Sequence, residues 1–328
     1  MKAVVCPTYG SPDVLELQEV AKPRPKDNEV LVKVHASSVN AADWRLMRAD
    51  PPLVRLTDGF SKPKYPVFGS DVAGRVEAVG KNVTQFKPGD EVFGDLSASG
   101  LGAFAEYVAA PEDSLICKPA KLTFEQAAAV PMAAVTALQG LRDYGKIEAG
   151  QSALINGASG GVGSFAVQLA KSFGAEVTGV CSTGKVDMVR LLGADCVIDY
   201  EREDFTQSAG RYDLILGVGG FYPLAVYKRA LRPGGRYVMA GGETKQIFQA
   251  VLLGPLMSVR RDKKLMGLVA KPSQEDLRFI ARLLESSDVT PVIDKTYPLA
   301  EVPEAVRYLE AGYARGKVVI SVARDDEV

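Results

Sequence analysis

The chain has 328 residues, more than one hydrophobic core usually accommodates, so its length predicts two domains. Its 39 Lys and Arg residues and 40 Asp and Glu residues leave a net charge of −1, which argues against electrostatic binding of nucleic acid. The four cysteines lie far apart without a C-x-x-C pair, so neither a disulfide framework nor a zinc ribbon is expected.

The first third of the chain carries short β-branched runs separated by Gly and Pro. This pattern predicts strands at residues 30–36, 72–79 and 105–109, in a β-rich, partly barrel-like unit. The amino terminus leads directly into a further strand pattern and resembles neither a signal peptide nor a transit peptide, so we expect a cytoplasmic protein.

The pattern changes near residue 122. Thr123 is a good cap for the Ala-rich helix that follows it. From residue 152 to residue 269 strands and helices alternate, which is typical of a doubly wound parallel sheet. We predict its strands at residues 152–156, 176–181, 196–199, 213–216, 236–240 and 264–269.

The last sixty or so residues no longer follow this alternation. They predict helices at 274–285 and 302–310 and strands at 292–297 and 317–320. We expect them to fold back onto the first third, so that one domain comprises residues 1–122 and 271–328 and the other residues 123–270.

Two apolar stretches are candidates for membrane contact. Residues 126–141 contain Pro131 and are shorter than the roughly 20 residues that a spanning helix needs. Residues 247–259 contain Gly254 and Pro255 and precede a basic run at 260–264. We expect this second stretch to be a buried segment with a solvated basic edge, and we predict no membrane span.

In the segment at residues 153–163, ALINGASGGVG, a predicted strand enters a glycine-rich turn, and a predicted helix leaves that turn. Glycines there let the backbone approach a pyrophosphate, and the helix amino terminus stabilises its charge. A tight turn without a ligand is the alternative. The strand and helix favour dinucleotide binding by five residues of the turn: Ala158, Ser159, Gly160, Gly161 and Val162.

The end of the second strand of this sheet indicates which dinucleotide is bound. A site for NAD usually carries an acidic residue there, whereas this chain has Ser182, Thr183 and Lys185 and no acid before Asp187. Hydroxyls and a lysine suit a 2′-phosphate, and Tyr200 follows the next strand. Lys185 alone would be interpreted as a solvated surface lysine, but the missing acid favours NADPH.

Several ordered motifs resemble the medium-chain dehydrogenase/reductase superfamily, and within it the zinc-free quinone oxidoreductase branch. They are SSVNAAD at 37–43, FGSDVAGRV at 68–76, KPGDEV at 87–92, GGVG at 160–163 and LLGAD at 191–195. The resemblance implies an α/β protein with a GroES-like β-rich catalytic domain and a Rossmann domain with a doubly wound parallel sheet. It also implies a homodimer.

The resemblance also bears on metal content. Zinc-dependent members of the superfamily carry a cysteine ligand where Asn40 stands and a Gly-His-Glu motif where Gly69-Ser70-Asp71 stands. The single histidine, His35, lies in a predicted strand and is expected to pack there. No zinc or other metal site is therefore expected.

By similarity, further residues acquire roles at the cofactor. Asn40 and Thr136 would face the nicotinamide, and Gly217 and Val218 would flank the adenosine ribose. Five residues would lie at the edge of the nicotinamide: Ala240, Gly241, Gly242, Leu268 and Val269. Two more residues, Arg315 and Lys317, are placed like the carboxyl-terminal cation of this branch.

These observations predict a reductase that transfers hydride from NADPH to a quinone or an α,β-unsaturated carbonyl compound, with Asn40 as the catalytic donor to the carbonyl. Trp44, Arg45 and Tyr65 either shape the substrate pocket or belong to the core. An enoyl-thioester reductase is an alternative within enzymes. A non-catalytic sensor or structural protein that binds NADPH is the alternative outside them.

Overall fold

Two main sheets organise the chain, one of seven strands and one of six. The computed structural model describes residues 1–207, 209–258 and 262–322. The first unit comprises Met1–Ala133, Pro272–Ser286 and the chain from Pro291 on, and the second comprises Ala134–Lys271 and Ser287–Thr290. Residues 323–328 of the predicted first domain lie outside the described ranges.

The amino-terminal part of the first unit contains seven strands and three helices. The strands are β1 (Lys2–Val5), β2 (Glu16–Glu19), β3 (Glu29–Val39), β4 (Asp71–Val79), β5 (Glu91–Asp95), β6 (Tyr107–Pro111) and β7 (Leu115–Cys117). The helices are α1 (Ala41–Arg48), α2 (Val54–Asp58) and α3 (Phe124–Ala128). The long strand β3 is central, since it pairs antiparallel with both β4 and β6.

Thr123 caps α3 as predicted: its hydroxyl accepts the backbone N–H of Gln126, and the Gln126 side chain accepts the N–H of Thr123. The predicted domain boundary after residue 122 differs from the structure, which keeps residues 123–133 in the first unit. The reason is packing, because α3 contacts β3 and the ring of Phe124 stacks on His35 at 4.1 Å between centroids. His35 is thus a packed strand residue, as expected.

The second unit contains the parallel sheet. Helix α4 (Pro131–Leu138) begins with the last residues of the first unit's amino-terminal part and continues into the second unit. The helices and strands that follow it are β8 (Ser152–Asn156), α5 (Gly161–Ser172), β9 (Glu176–Cys181), α6 (Val186–Leu191), β10 (Cys196–Asp199), β11 (Tyr212–Gly217), α7 (Leu224–Ala230), β12 (Leu231–Met239), α8 (Thr244–Phe248), α9 (Gly254–Met257) and β13 (Lys264–Gly267). The strand order is β10-β9-β8-β11-β12-β13, with every pair parallel.

The chain then returns to the first unit through α10 (Gln274–Ser286), β14 (Ile293–Pro298), α11 (Val302–Glu310) and β15 (Lys317–Ser321). Strand β15 pairs antiparallel with the carboxyl-terminal half of β3, with Val318 opposite Val39. The resulting seven-stranded sheet has the order β14-β15-β3-β4-β5-β7, with the seventh strand, β6, paired to β3 outside this order. Together the two sheets give the predicted α/β fold, with a GroES-like unit and a Rossmann unit.

The expected burial of residues 247–259 is wrong for most of the described part of this stretch. Val251, Leu252 and Leu256 are 54%, 63% and 69% exposed. Ala250 and Gly254 are buried instead, because these small residues let the helical segment approach β13: a Cβ on Gly254 would lie 2.7 Å from the carbonyl oxygen of Leu265. Val259, Arg260 and Arg261 lie outside the described residues.

Among the described residues, none of the helices combines the length and the apolar character that a bilayer crossing requires.

Candidate functional site

The carboxyl ends of the parallel strands bring the predicted cofactor residues of the second unit to one edge of its sheet. Strands β8 and β11 are neighbours at the centre of the sheet, where the strand order reverses. Ligands of doubly wound sheets bind at this reversal, beyond the carboxyl ends of the strands. The glycine turn follows β8, and the remaining predicted groups follow the other strands of the sheet.

The glycine turn joins β8 to the twelve-residue helix α5. Gly157 has a φ of +89°, a conformation that favours glycine. Gly163 permits close packing within the turn, since a Cβ there would lie 2.0 Å from the carbonyl oxygen of Gly157. The first N–H groups of a helix have no carbonyl partner inside the helix, so this end of α5 presents donors suited to a phosphate.

Gly160, the residue that caps α5, differs from these two glycines. Its φ is −83°, and a Cβ there would meet only the Gly157 carbonyl oxygen, at 3.6 Å. The chain itself therefore does not require glycine at position 160. A ligand that approaches the backbone closely would require it, so this feature of the turn fits the pyrophosphate of a dinucleotide.

The loops after β11 and β12 close around the same edge. A Cβ on Gly157 would meet the backbone nitrogen of Gly219 at 2.8 Å, and a Cβ on Gly241 would meet the carbonyl oxygen of Val218 at 2.7 Å. Asn156, which the sequence analysis did not single out, ties the loops together through Nδ2, which donates to the carbonyl oxygen of Gly219 at 3.0 Å. The predicted residues Gly217, Val218, Ala240, Gly241 and Gly242 therefore belong to one connected rim.

The groups predicted at the adenosine end lie at the ends of β9 and β10. Thr183 is exposed, Lys185 is half-buried and Tyr200 is 52% exposed. Two carboxylates also reach this place, because Thr183 Oγ1 lies 2.6 Å from Asp199 Oδ2 and 2.7 Å from Glu201 Oε2. Asp199 ends β10 and Glu201 follows it, so only the pairing of β9 with β10 brings these carboxylates to Thr183.

The first unit contains a second constellation, built on three adjacent strands. Asn40 follows β3, Asp71 begins β4 and Lys317 begins β15. The Lys317 ammonium group donates to Asn40 Oδ1 and, at 3.2 Å, to Asp71 Oδ2. Asn40 Nδ2 donates to the same Asp71 oxygen at 2.9 Å and, over a longer 3.4 Å, to the Ser38 carbonyl oxygen.

Asp71 is the most heavily bonded member of this group, which we call the Asp71 network: Ser38, Asn40, Asp71 and Lys317. Its carboxylate is completely buried. Besides Asn40 and Lys317 it accepts the Ser38 hydroxyl at 2.6 Å and the Met132 backbone N–H at 2.8 Å. A buried carboxylate with this many donors has the partners that its ionised form needs.

Two further carboxyl groups lie beside the network. Asp43 accepts the Asn40 backbone N–H at 2.7 Å, and burial together with the nearby Asp71 charge raises its pKa to about 7. Burial and the same Asp71 charge raise the pKa of Asp95 to about 6. The surroundings of Asp71 thus keep the proton on both acidic neighbours to a higher pH than an exposed aspartate would keep it.

Zinc does not fit the Asp71 network. Zinc sites in proteins are built mainly from Cys and His with some carboxylates, whereas Asn40, Ser70 and Asp71 offer an amide, a hydroxyl and one carboxylate. The Lys317 ammonium already lies against two of these groups. Within residues 1–207, 209–258 and 262–322, no group of three or more His, Cys, Asp or Glu side chains could hold a metal ion.

The remaining predicted residues are distributed more widely. Thr136 is buried on α4, Leu268 is nearly buried after β13, and Val269 is 72% exposed. Arg315 is exposed, and its backbone N–H donates to Asp294, whereas Lys317 is 3% exposed within the Asp71 network. The two predicted carboxyl-terminal cations therefore have different surroundings.

Of the residues predicted to shape the substrate pocket, Trp44 packs against the core and Tyr65 is partly exposed. Trp44 packs against the apolar core of the first unit, and the Arg45 guanidinium lies 4.7 Å from its ring centroid. Tyr65, 37% exposed, lines a small pocket in the first unit. Its other lining residues are Tyr9, Leu46, Asp58, Pro63, Lys64, Phe68 and Leu101.

Sequence reasoning quoted Asp43 and Asp71 only as parts of motifs and missed them as members of a site. The available signal was an acidic residue directly before the small and apolar run Val72-Ala73-Gly74 of one strand, and two adjacent serines, Ser37 and Ser38, in another. Both patterns are unusual for buried strands, whose polar groups must find partners.

Asp43 gives a prediction for stability against pH. In the folded protein it keeps its proton up to a pKa of about 7, whereas an unfolded aspartate loses it near pH 4. Between these values the folded state binds more protons, so a rise in pH lowers the free energy of unfolding. Urea unfolding from pH 4 to pH 8 should show the wild type losing stability relative to Asp43→Asn. Asp113→Asn, which changes an exposed aspartate, is the control, and parallel curves for wild type and Asp43→Asn would contradict the assignment.

Comparison with known proteins agrees with the two units. Residues 26–120 match the alcohol dehydrogenase GroES-like domain, and residues 192–320 match a family described as zinc-binding dehydrogenase. A 2-methylene-furan-3-one reductase of Solanum lycopersicum is 38% identical, over 98% of this chain and 79% of the relative. A chloroplastic NADPH-dependent alkenal/one oxidoreductase of Arabidopsis thaliana is 35% identical, with the same coverage of 98% and 79%.

Among solved structures, the quinone oxidoreductase from Coxiella burnetii superposes with a TM-score of 0.86 at 30% identity, covering 98% of this chain and 99% of the other. The matched families, the identities and the coverage agree with the motif order in the sequence. The chain therefore belongs to the medium-chain dehydrogenase/reductase superfamily, in its quinone-oxidoreductase-like branch.

Proposed function

We propose that the protein is an NADPH-dependent, zinc-independent reductase of quinones or α,β-unsaturated carbonyl compounds. The observation that carries this proposal is the glycine turn at the strand reversal, with a glycine at position 160 that the chain itself does not require. The names of the relatives point in the same direction, since alkenals, alkenones and a 2-methylene-furan-3-one all contain both a C=C bond and a carbonyl group.

Residues of the second unit would hold the dinucleotide. The amino terminus of α5 and the backbone of residues 158–162 would bind its pyrophosphate. Ser182, Thr183, Lys185 and Tyr200 would receive the 2′-phosphate, and the rim after β11, β12 and β13 would line the rest. When bound, NADPH supplies a hydride to the acceptor.

Asn40 is the proposed catalytic donor. When the β-carbon of the acceptor gains hydride, negative charge grows on the carbonyl oxygen, and a preorganised N–H lowers the cost of that charge. Of the two Nδ2 hydrogens of Asn40, one is bonded to Asp71 at 2.9 Å and the other has only the longer 3.4 Å bond to Ser38. We assign the second hydrogen to the acceptor oxygen, and we expect solvent to supply the proton that completes the reduction.

Independence from zinc is supported by the donor set. A tetrahedral zinc site needs thiolate, imidazole or several carboxylate ligands, and the positions where zinc-dependent relatives carry them hold Asn40 and Ser70. Ser70 Oγ is buried and, among the described residues, has no hydrogen-bond partner. The positive charge in this part of the unit comes from Lys317.

We also propose a homodimer through the edge of the parallel sheet. Strand β13 is the last strand of its sheet, and the edge of a sheet is a natural pairing surface. The exposed apolar residues Val251, Leu252, Leu253 and Leu256 lie in the helical segment that packs on this strand. The cytoplasmic location stays a prediction, and relatives named as chloroplastic show that other locations occur in the family.

Steady-state oxidation of NADPH with 1,4-benzoquinone and with a short 2-alkenal tests the reaction. After dialysis against a chelator we expect turnover to be unchanged, because no step assigned to this chain needs a metal. Loss of activity on chelation, restored by zinc, would contradict zinc independence. Tight NADPH binding without turnover of either acceptor would favour the non-catalytic alternative.

The same assay with Lys185→Met tests the cofactor assignment. We expect KM for NADPH to rise about tenfold or more, equivalent to about 1.4 kcal/mol, with KM for NADH nearly unchanged, because only NADPH carries a 2′-phosphate. Lys171→Met, which changes a lysine on α5 that pairs with Asp195, is the control. Equal effects on the two cofactors would show that Lys185 does not recognise the phosphate.

Gly160→Ala separates cofactor binding from folding. The added methyl group has room in the protein, so its stability cost should not exceed about 1 kcal/mol, but it would obstruct the pyrophosphate. Fluorescence titration should show NADPH affinity reduced about tenfold or more. The matched variant Gly163→Ala should destabilise the fold instead, since its methyl group collides with the backbone. Unchanged NADPH affinity in Gly160→Ala would contradict the site.

Sedimentation velocity tests the dimer. We expect the wild type to sediment at twice the chain mass of 35.0 kDa at micromolar concentration, and Leu256→Glu to sediment as a monomer. The glutamate would be exposed in the monomer at little cost but buried and unpaired in the proposed interface. A wild-type protein that sediments with the mass of one chain would contradict the proposed dimer.

A further inference from the structure

Lys317 is a buried ammonium group whose bonds lead to the proposed donor. The residue is 3% exposed, and its Nζ donates to Asn40 Oδ1 and to Asp71 Oδ2. Among the described residues, no other acceptor is found for its third N–H. Burying an ammonium group costs free energy. The adjacent carboxylate of Asp71, itself 0% exposed, offsets that cost only while the two charged groups stay in contact.

The bonds of Lys317 and Asp71 determine which way the Asn40 amide points. An ammonium group only donates, so it must face the amide oxygen, and a carboxylate only accepts, so it must face the amide nitrogen. Asn40 lies between the two, with Oδ1 toward Lys317 and Nδ2 toward Asp71. The reversed amide would place its NH2 donor against the Lys317 ammonium and its oxygen against the Asp71 carboxylate, so it is excluded.

The pairing of the strands holds this arrangement in place. Val318, next to Lys317, is opposite Val39, next to Asn40, and Ser38 is opposite Asp71. The three side chains thus come from neighbouring strands in the order β15-β3-β4. Asn40 and Lys317, 277 positions apart in the chain, are therefore held by backbone hydrogen bonds as well as by their own contact.

We propose that Lys317 is a positioning residue for Asn40, fixing the amide orientation and polarising it so that its second Nδ2 hydrogen becomes a stronger donor. Hydrogen bonds in a chain strengthen one another, and a cation at the amide oxygen draws electron density away from the N–H groups. The inference rests on the proposed reductase function, in which that hydrogen stabilises the acceptor oxygen. It gives Lys317 a role other than contact with the cofactor.

Kinetics of Lys317→Met, Asn40→Ala and the double variant test the inference. Lys317→Met keeps the length of the side chain and removes its charge. We expect it to lower kcat about 10- to 100-fold, the usual effect of losing a group that orients another, with KM and Kd for NADPH changed less than about twofold. In the Asn40→Ala background the same change should lower kcat less than about twofold further, because its effect passes through Asn40.

A cofactor contact gives the opposite pattern. Weaker NADPH binding in Lys317→Met, or an equal loss of kcat in both backgrounds, would overturn the inference. Lys295→Met is the matched control, because Lys295 is exposed on the adjacent strand β14, where it contacts the Tyr308 ring, and its loss should leave kcat unchanged. If Lys317→Met fails to fold, Lys317→Met/Asp71→Asn removes both buried charges and should fold with kcat still reduced.

The side-chain amide signals of Asn40 provide a readout that does not depend on turnover. In a ¹H–¹⁵N spectrum of the full chain they are the pair that disappears in Asn40→Ala. We expect them to shift and to exchange faster with water in Lys317→Met, and unmoved signals would overturn the inference. If the wild type reduces no acceptor, the proposed function has failed, whereas the amide signals still report whether Lys317 orients Asn40.

Discussion

A completely buried carboxylate needs hydrogen-bond donors around it, and the carboxylate of Asp71 imposes this requirement on the first unit. Its four donors come from three parts of the chain: the Ser38 hydroxyl on β3 with the Asn40 amide just beyond it, the Met132 backbone on α4 and the Lys317 ammonium on β15. An unmet charge at this depth would cost several kcal/mol. The strand order β15-β3-β4 therefore brings hydrogen-bond donors to the Asp71 carboxylate, in addition to burying apolar surface.

The same requirement explains the chemistry available there. Asp71 and Lys317 form a buried pair of opposite charges, with the Asn40 amide held between them. Desolvation strengthens the electrostatic interactions within such a network, since the low local dielectric screens them poorly. The amide therefore lies between a group that can only donate, the Lys317 ammonium, and a group that can only accept, the Asp71 carboxylate.

The second unit follows a different constraint, the direction of its strands. All six strands of its sheet are parallel, so their carboxyl ends, and every loop that follows them, meet at one edge. The close approach of Gly157 to Gly219 and of Gly241 to Val218 leaves no room for larger residues on the rim. A site for an extended dinucleotide can therefore be built from backbone groups, with few side chains. Thr183 shows how the edge also brings unexpected neighbours, because Asp199 and Glu201 reach it from the next strand.

Local patterns in the sequence were sufficient for the elements and for the glycine turn. The helix predicted at 302–310 is α11, the strands predicted at 152–156 and 176–181 are β8 and β9, and Thr123 caps its helix. Such features depend on residues close together in the chain, through periodicity, capping and the conformational freedom of glycine. Chain-wide motif order was sufficient for the superfamily.

The tertiary structure alone decided which distant side chains meet. The contact between Asn40 and Lys317, the approach of Asp199 and Glu201 to Thr183, and the exposure of the apolar residues at 251–256 all depend on strand pairing or on which helix face meets the sheet. A sequence pattern indicates that a residue lies in a strand or helix. It does not specify the partner strand, the register or the neighbouring side chain, because those follow from packing of the whole unit.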